Sequence, residues 1–345
     1  MLALLLVIVS SQLFAQPVIT SVTPPSSPVS GQTEVTIRGS NFSNICPPGF
    51  PCTTREPQAF FGGTSALSTR LVDANTIIAV APPHLPGASF ITVSQPNGAS
   101  SIRFSYEGDP SEAFDPILVP LLTPPVNGAF GSRFVPEFQI LNTGTRQVQA
   151  YGLKTFFCTG FVSLPVPADP REDPLILTPR SEPQCVDRTR NPGRLVWVPK
   201  GTSDLIAANL RVFDTSQQST SFGTEIPIAR QRDFRSGTIA LLGVPLSERF
   251  RVMLRIYGLE PESMAVNVTL FNGTTAVQLR PGNDLFDPAY GAFSEFPYPV
   301  PGLSVLASST NVFIEPAPED VSRHIWAFIT VTNNETQQIT TIAPH

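Results

Sequence analysis

The chain has 345 residues, 41% of them hydrophobic and 14% charged, with a formal net charge of −5. That length allows two or three domains. The balance excludes intrinsic disorder, which needs low hydrophobicity with high net charge, and it argues against nonspecific nucleic-acid binding, which needs a basic field. With 37 prolines and 23 glycines, the composition suits β-structure tied by irregular connections. Residues 1–15 read as a secretory signal peptide: the apolar run 2–9 is followed by Leu13-Phe14-Ala15, a small-residue cleavage site. The run is too short to span a bilayer as a stable helix, and no other run reaches that length. The mature chain is therefore expected to be exported, without a membrane span, and to be secreted, periplasmic or held at the cell surface.

Residues 17–107 alternate as short strands between turn signals. Val18, Ile19 and Val22 lead to Thr23-Pro24-Pro25, where the prolines cannot donate to a ladder. Val35 and Ile37 alternate with Thr36 and Arg38, Gly39-Ser40-Asn41 turns the chain, and Phe42 returns inward. Ala59-Phe60-Phe61 closes on Gly62-Gly63, and 76–81 stops at Pro82-Pro83. Ile91 and Val93 alternate with Phe90, Thr92 and Ser94, and Ile102, Phe104 and Tyr106 share one face of a last strand. Strands at this spacing read as a β-sandwich. The stretch from PVITSVTPPSSPVSGQTEVTIRGSNF to ITVSQPNGASSIRFSY resembles the IPT/TIG domain, an immunoglobulin-like sandwich found in cell-surface receptors, some transcription factors and secreted bacterial proteins. The resemblance implies a fold and an extracellular setting, and no chemistry. The proline-rich segment 43–58, with CPPGFPC, departs from the family pattern and reads as an inserted loop.

Residues 108–116 read as a linker. From 117 onward the pattern is again β, with strands expected at 117–122, 134–141, 148–153, 195–198, 205–213, 238–242, 250–257, 265–271, 312–315 and 325–331. These form one or two further β-sandwiches, 117–225 and 226–345, or a single domain over 117–345. The segments Phe138 to Val148 and Phe328 to Ile339 echo each other as strand, Asn-containing turn and strand, and predict two hairpins. Segments 128–142, 211–235 and 326–342 resemble patterns in uncharacterised secreted bacterial proteins.

Cys46, Cys52, Cys158 and Cys185 make an even number in an exported chain, which points to disulfides. Three pairings are open. Cys46–Cys52 with Cys158–Cys185 is favoured because each bridge stays within one domain. Zinc is disfavoured, because neither spacing is of the CxxC kind and the three histidines are scattered. The fold class expected is thus all-β, with a stapled loop in the first domain.

Signals for catalysis are sparse. His84, His324 and His345 form no metal or triad pattern. The acids Asp169, Glu172, Asp173, Asp284, Asp287, Glu260 and Glu262 lie in Pro- or Gly-rich connections and read first as solvated loop carboxylates, with calcium binding as the alternative for the first two clusters. The arginine groups Arg188, Arg190, Arg194 and Arg230, Arg232, Arg235 read first as partners of Asp187, Asp233 and Glu225, and second as a grip on an anionic polymer. The most suggestive segment, 284–302, gathers Phe286, Tyr290, Phe293, Phe296 and Tyr298. These rings are either a contact surface for a ligand such as a sugar or a plug for the end of a sandwich. The expected function is therefore a non-enzymatic extracellular adhesion, scaffold or protein-interaction module without a cofactor, its partner an extracellular protein or polysaccharide. The alternative is a carbohydrate-binding accessory of polysaccharide degradation.

Overall fold

The computed structural model describes residues 15–43, 56–121, 125–152, 161–164, 175–177, 193–217, 222–260, 264–279, 292–296, 299–303 and 308–344. All four cysteines lie outside these residues. The described residues contain strands and short 3-10 turns and no α-helix. They fall into two compact units, Met1–Ala113 and Phe114–His345.

The first unit holds β1 (Val18–Thr23), β2 (Ser26–Pro28), β3 (Glu34–Ser40), β4 (Gln58–Phe61), β5 (Thr64–Ser65), β6 (Ser68–Asp73), β7 (Thr76–Val80), β8 (Gly87–Gln95) and β9 (Gly98–Glu107). One sheet has the order β1-β3-β7-β6 and the other β2-β9-β8-β4-β5. Pro24 and Pro25 interrupt the ladder, and the chain changes sheets there: β1 pairs with β3, while β2 runs parallel to β9. A register shift between Ile19 and Ser21 lets Ile19 and Val22 reach the same core despite their odd spacing. Alternation does the rest. Val35, Ile37, Ile77 and Ala79 from one sheet meet Ile91, Val93, Phe104 and Tyr106 from the other.

In the second unit the first sandwich comprises β10 (Phe114–Val119), β11 (Val126–Asn127), β12 (Arg133–Asn142), β13 (Val148–Tyr151), β14 (Phe161–Leu164), β15 (Leu175–Leu177), β16 (Arg194–Pro199), β17 (Ile206–Asp214), β18 (Thr224–Ile226) and β19 (Ala229–Arg230). Its sheets are β14-β13-β16-β10-β19 and β11-β12-β17-β18, with β15 also on β12. Strand β10 begins inside the segment read as a linker, and β18 straddles residue 225. The hairpin expected at Phe138–Val148 is not formed. β12 pairs with β11, β15 and β17, whereas β13 lies in the other sheet on β14 and β16. The cause is local. Buried Asn142 turns the chain out of its sheet by accepting from the Gly144 N–H at 2.9 Å and donating to the Arg146 carbonyl at 2.8 Å.

The second sandwich of this unit comprises β20 (Ile239–Pro245), β21 (Phe250–Gly258), β22 (Val266–Phe271), β23 (Ala276–Leu279), β24 (Ala292–Glu295), β25 (Ser309–Pro316), β26 (Ile325–Asn333) and β27 (Ile339–Ile342). Sheet β20-β25-β22-β23 faces sheet β24-β21-β26-β27. Here the echo does form a hairpin, β26 to β27. Asn333 caps it by accepting from the Glu335 and Thr336 N–H groups, while Gln337, with φ 58°, takes the left-handed position.

Strand β26 is buried on both faces. Ile325, Ala327, Ile329 and Val331 enter the core between its own two sheets. Trp326 and Phe328, with Tyr257 from β21, join the core of the neighbouring sandwich. Tyr257 stacks on Phe328 at 6.5 Å between ring centroids, and its hydroxyl donates to the Pro120 carbonyl at 2.8 Å. The unit Phe114–His345 is thus two sandwiches that share apolar side chains.

Candidate functional site

The register of β21 on β26 decides which side chains meet. Even-numbered Val252, Leu254 and Ile256 point into the core between the sheets. Their odd-numbered neighbours therefore stand on the outer face. Tyr257 lies opposite Trp326, Arg255 opposite Phe328, Met253 opposite Thr330 and Arg251 opposite Thr332. The Tyr257 end of this face is sealed against the first sandwich of the unit. The other end is open: Arg251, Met253, Arg255, Thr330 and Thr332 form one wall of a cavity of about 340 Å3.

The facing wall comes from β12, β17 and β18. On β12, Phe138 and Ile140 belong to the sandwich core, and the same face continues outward to Pro136 and Phe134. Val212 sits opposite Pro136 on β17, and Ile226 opposite Leu210 on β18. These apolar groups line the cavity. Gly128 completes the wall at its rim because a Cβ there would stand 2.4 Å from the Phe134 ring. The next turn carries Phe130, which is 84% exposed and held at φ 52°, a conformation a bulky residue adopts at a cost. The two sandwiches are also laced beside the cavity: Thr224 donates to the Ile339 carbonyl at 2.7 Å.

Among the described lining residues the charge is of one sign. Arg251 and Arg255 line the cavity, and no Asp or Glu stands among the described lining residues. Burial holds the Arg255 guanidinium below its ordinary basicity, partly offset by a hydrogen bond to the Tyr257 oxygen, yet an arginine so placed stays cationic at neutral pH. Burial likewise pushes the Tyr257 phenol up, so it remains a neutral donor. Arg251 has no carboxylate partner among the described residues.

Of the residues singled out from the sequence, none of the described ones lines the cavity. Phe296 is buried in the core of the second sandwich, its N–H donating to the Val252 carbonyl at 3.0 Å, so this ring fills a core. Phe293 lies on β24, its backbone directly opposite Arg255. Phe286, Tyr290 and Tyr298 lie outside the described residues. Arg230 donates to the Ser203 and Ile206 carbonyls, and Arg232 pairs with Asp204. Glu225 pairs with Arg211 at 3.3 Å. Arg188 and Arg190 are outside the described residues, as are Asp169, Glu172, Asp173, Glu262, Asp284 and Asp287. Glu260 accepts from the His324 N–H at 2.9 Å and meets its ring nitrogen Nδ1 at 2.7 Å. No group of three or more His, Cys, Asp or Glu residues is placed to hold a metal among the described residues. No helix among them is long and apolar enough to cross a membrane.

In the first unit His84 is buried and stacks on Tyr106 at 4.8 Å. Two sheets joined by a sheet-switching first strand, with Tyr106 donating to the Pro82 carbonyl, complete that domain. Residues 17–107 match the IPT/TIG domain. The match stops short of β10, so the cavity lies wholly outside the IPT/TIG domain. Solved structures similar to this chain include an auxiliary nutrient binding protein from Bacteroides thetaiotaomicron, 13% identical, covering 36% of this chain and 28% of that one, with a TM-score of 0.21. The chain therefore spans less than a third of that protein. SGBP-B of the Bacteroides ovatus mixed-linkage glucan utilization locus, solved with a mixed-linkage heptasaccharide, is 11% identical over 53% of this chain and 52% of that one, with a TM-score of 0.21. An auxiliary nutrient binding protein from Bacteroides ovatus is 11% identical over 96% and 71%, with a TM-score of 0.23. No curated protein matches the chain.

The cavity was hidden in the sequence because Arg251, Met253 and Arg255, alternating with Val252, Leu254 and Ile256, read as the solvent face of an ordinary strand. The available signal was in β26. The run IWAFI at its start is apolar at both parities and so marks a strand covered on both sides.

Proposed function

We propose that this chain is an exported, non-enzymatic binding module: the IPT/TIG domain serves as a spacer, and the unit Phe114–His345 carries the ligand in the cavity between its two sandwiches. The observation that carries the reading is that cavity. It is concave, mostly apolar and built on paired strands, with a few polar groups from β21 and β26 at fixed register. Small-molecule sites have this make-up, and they favour junctions between packed bodies. Side chains on strands are held by the ladder, so the site needs little ordering on binding.

The test is a titration of the full chain with N-phenyl-1-naphthylamine, a neutral apolar fluorophore. Saturable enhancement is expected, lost in Val212→Trp, where the new ring fills the cavity from its β17 wall. A response that never saturates, or that Val212→Trp leaves intact while the variant keeps its circular dichroism, would remove the cavity as a binding site.

A further inference from the structure

The turn at the rim of the cavity also carries a projecting ring. We infer that the cavity receives the Phe130 side chain of a second copy of this chain, while that copy's cavity receives the first copy's Phe130 in return. The inference rests on the binding reading above and names the partner at that site.

Four observations support it. First, Phe130 carries two costs at once: its ring is 84% exposed and its backbone sits at φ 52°. Strain held under a ring that its own chain hardly packs points to a role outside that chain. Second, the ring stands on a slender, uncharged tip. Its neighbours are Gly128, Ala129, Gly131 and Ser132, and a Cβ at Gly131 would meet nothing within 4 Å. Such a tip enters a pocket without taking an ion out of water. The turn is fixed by its own bonds, the Gly128 N–H donating to the Ser132 carbonyl at 2.7 Å and the Ser132 N–H to the Ala129 carbonyl at 3.0 Å, so the ring is displayed before any partner arrives. Third, the hole matches the knob. About 340 Å3 is at the small end of ligand sites and suits one ring. Phe134, Pro136 and Val212 offer it apolar contact, Met253 a thioether, and Arg251 a guanidinium that can lie on a ring face. Fourth, knob and hole adjoin: Gly128 and Ala129 line the cavity, and Phe130 is the next residue. A foreign protein would account for the ring or for the cavity. A second copy accounts for both, because a two-fold axis through the rim places each Phe130 in the other cavity and closes the contact on itself. Two rings of about 150–250 Å2 each, with the walls they cover, come to the low end of specific interfaces, so the dimer is one in equilibrium with its monomer.

Sedimentation velocity of the full chain over about 1–100 μM is expected to show monomer passing to dimer, the range a small interface gives. Phe130→Ala removes a ring the monomer hardly packs, so its melting temperature should hold while self-association weakens at least about tenfold. Val212→Trp, which fills the cavity from within, should do the same in a chain whose Phe130 is intact. N-phenyl-1-naphthylamine should compete: added to the wild type it moves the equilibrium towards monomer, and it saturates the Phe130→Ala monomer. A wild type that stays monomeric at about 100 μM overturns the inference; if Phe130→Ala then binds the fluorophore more tightly, the ring covers its own cavity instead. A dimer that survives both substitutions forms through another surface and overturns it as well. Either result leaves the binding reading standing when the fluorophore saturates. A folded Phe130→Ala monomer that never saturates removes that reading itself.

Discussion

His84 shows how a loop residue becomes structural. The sequence places it in Pro-Pro-His-Leu-Pro, yet it is buried against Tyr106, and Gly62 at φ 58° is the residue that leaves it room: a Cβ there would stand 2.4 Å from His84 Nε2. Burial holds its imidazole below the ordinary 6.5, with a smaller opposing effect from the Leu85 carbonyl that meets Nδ1. The unfolded chain, with an unperturbed imidazole, binds more protons than the folded one below about pH 6.5. Stability from this group is therefore complete above that pH and is lost as pH falls from there through the folded value. Amide exchange of residues 76–106 in the full chain, corrected for intrinsic rates, should show easier opening at pH 5.5 than at pH 7.5. His84→Gln should flatten that difference, and an unchanged pH profile in the variant would place the titration elsewhere.

At the scale of an element, β26 separates a half-buried strand from a fully buried one. On an ordinary sandwich strand, truncation of adjacent residues hurts at one position and not the next. Here Phe328 packs in one core and Ile329 in the other, both fully buried. Phe328→Ala is expected to cost about 3–5 kcal/mol and Ile329→Ala about 2–5 kcal/mol. Asn267→Ala, exposed on β22, should stay within about 0.5 kcal/mol. Urea unfolding of the variants checks this, and a small cost at either β26 position would mean that one face of the strand is not packed. Most strands from 117 onward were readable from alternation, because a half-buried strand must show its two faces in its residues. The first echo failed as a hairpin because strand pairing depends on where Asn142 sends the chain, and the echo itself contains no information on that.

For the molecule, the shared core makes a cooperative unit of Phe114–His345. Tyr257, Trp326 and Phe328 from one sandwich lie in the core of the other, so neither can open without exposing them. The two tryptophans report on this separately, Trp197 from β16 and Trp326 from β26. Single-tryptophan variants Trp197→Phe and Trp326→Phe should give the same urea midpoint by fluorescence as each gives by circular dichroism. Two separated midpoints would mean that the sandwiches unfold independently. By itself the amino-acid sequence determined the all-β class, the IPT/TIG domain, and the position of the longer strands in the second unit, since these depend on local alternation and turn chemistry, but not the position of short ones such as β14, β18, β23 and β24. Only the tertiary structure decided that Phe296 fills a core and that Arg251 and Arg255 face a cavity. The outward face of a strand looks the same in sequence whether water or another sheet lies beyond it, and only packing between distant segments tells the two apart.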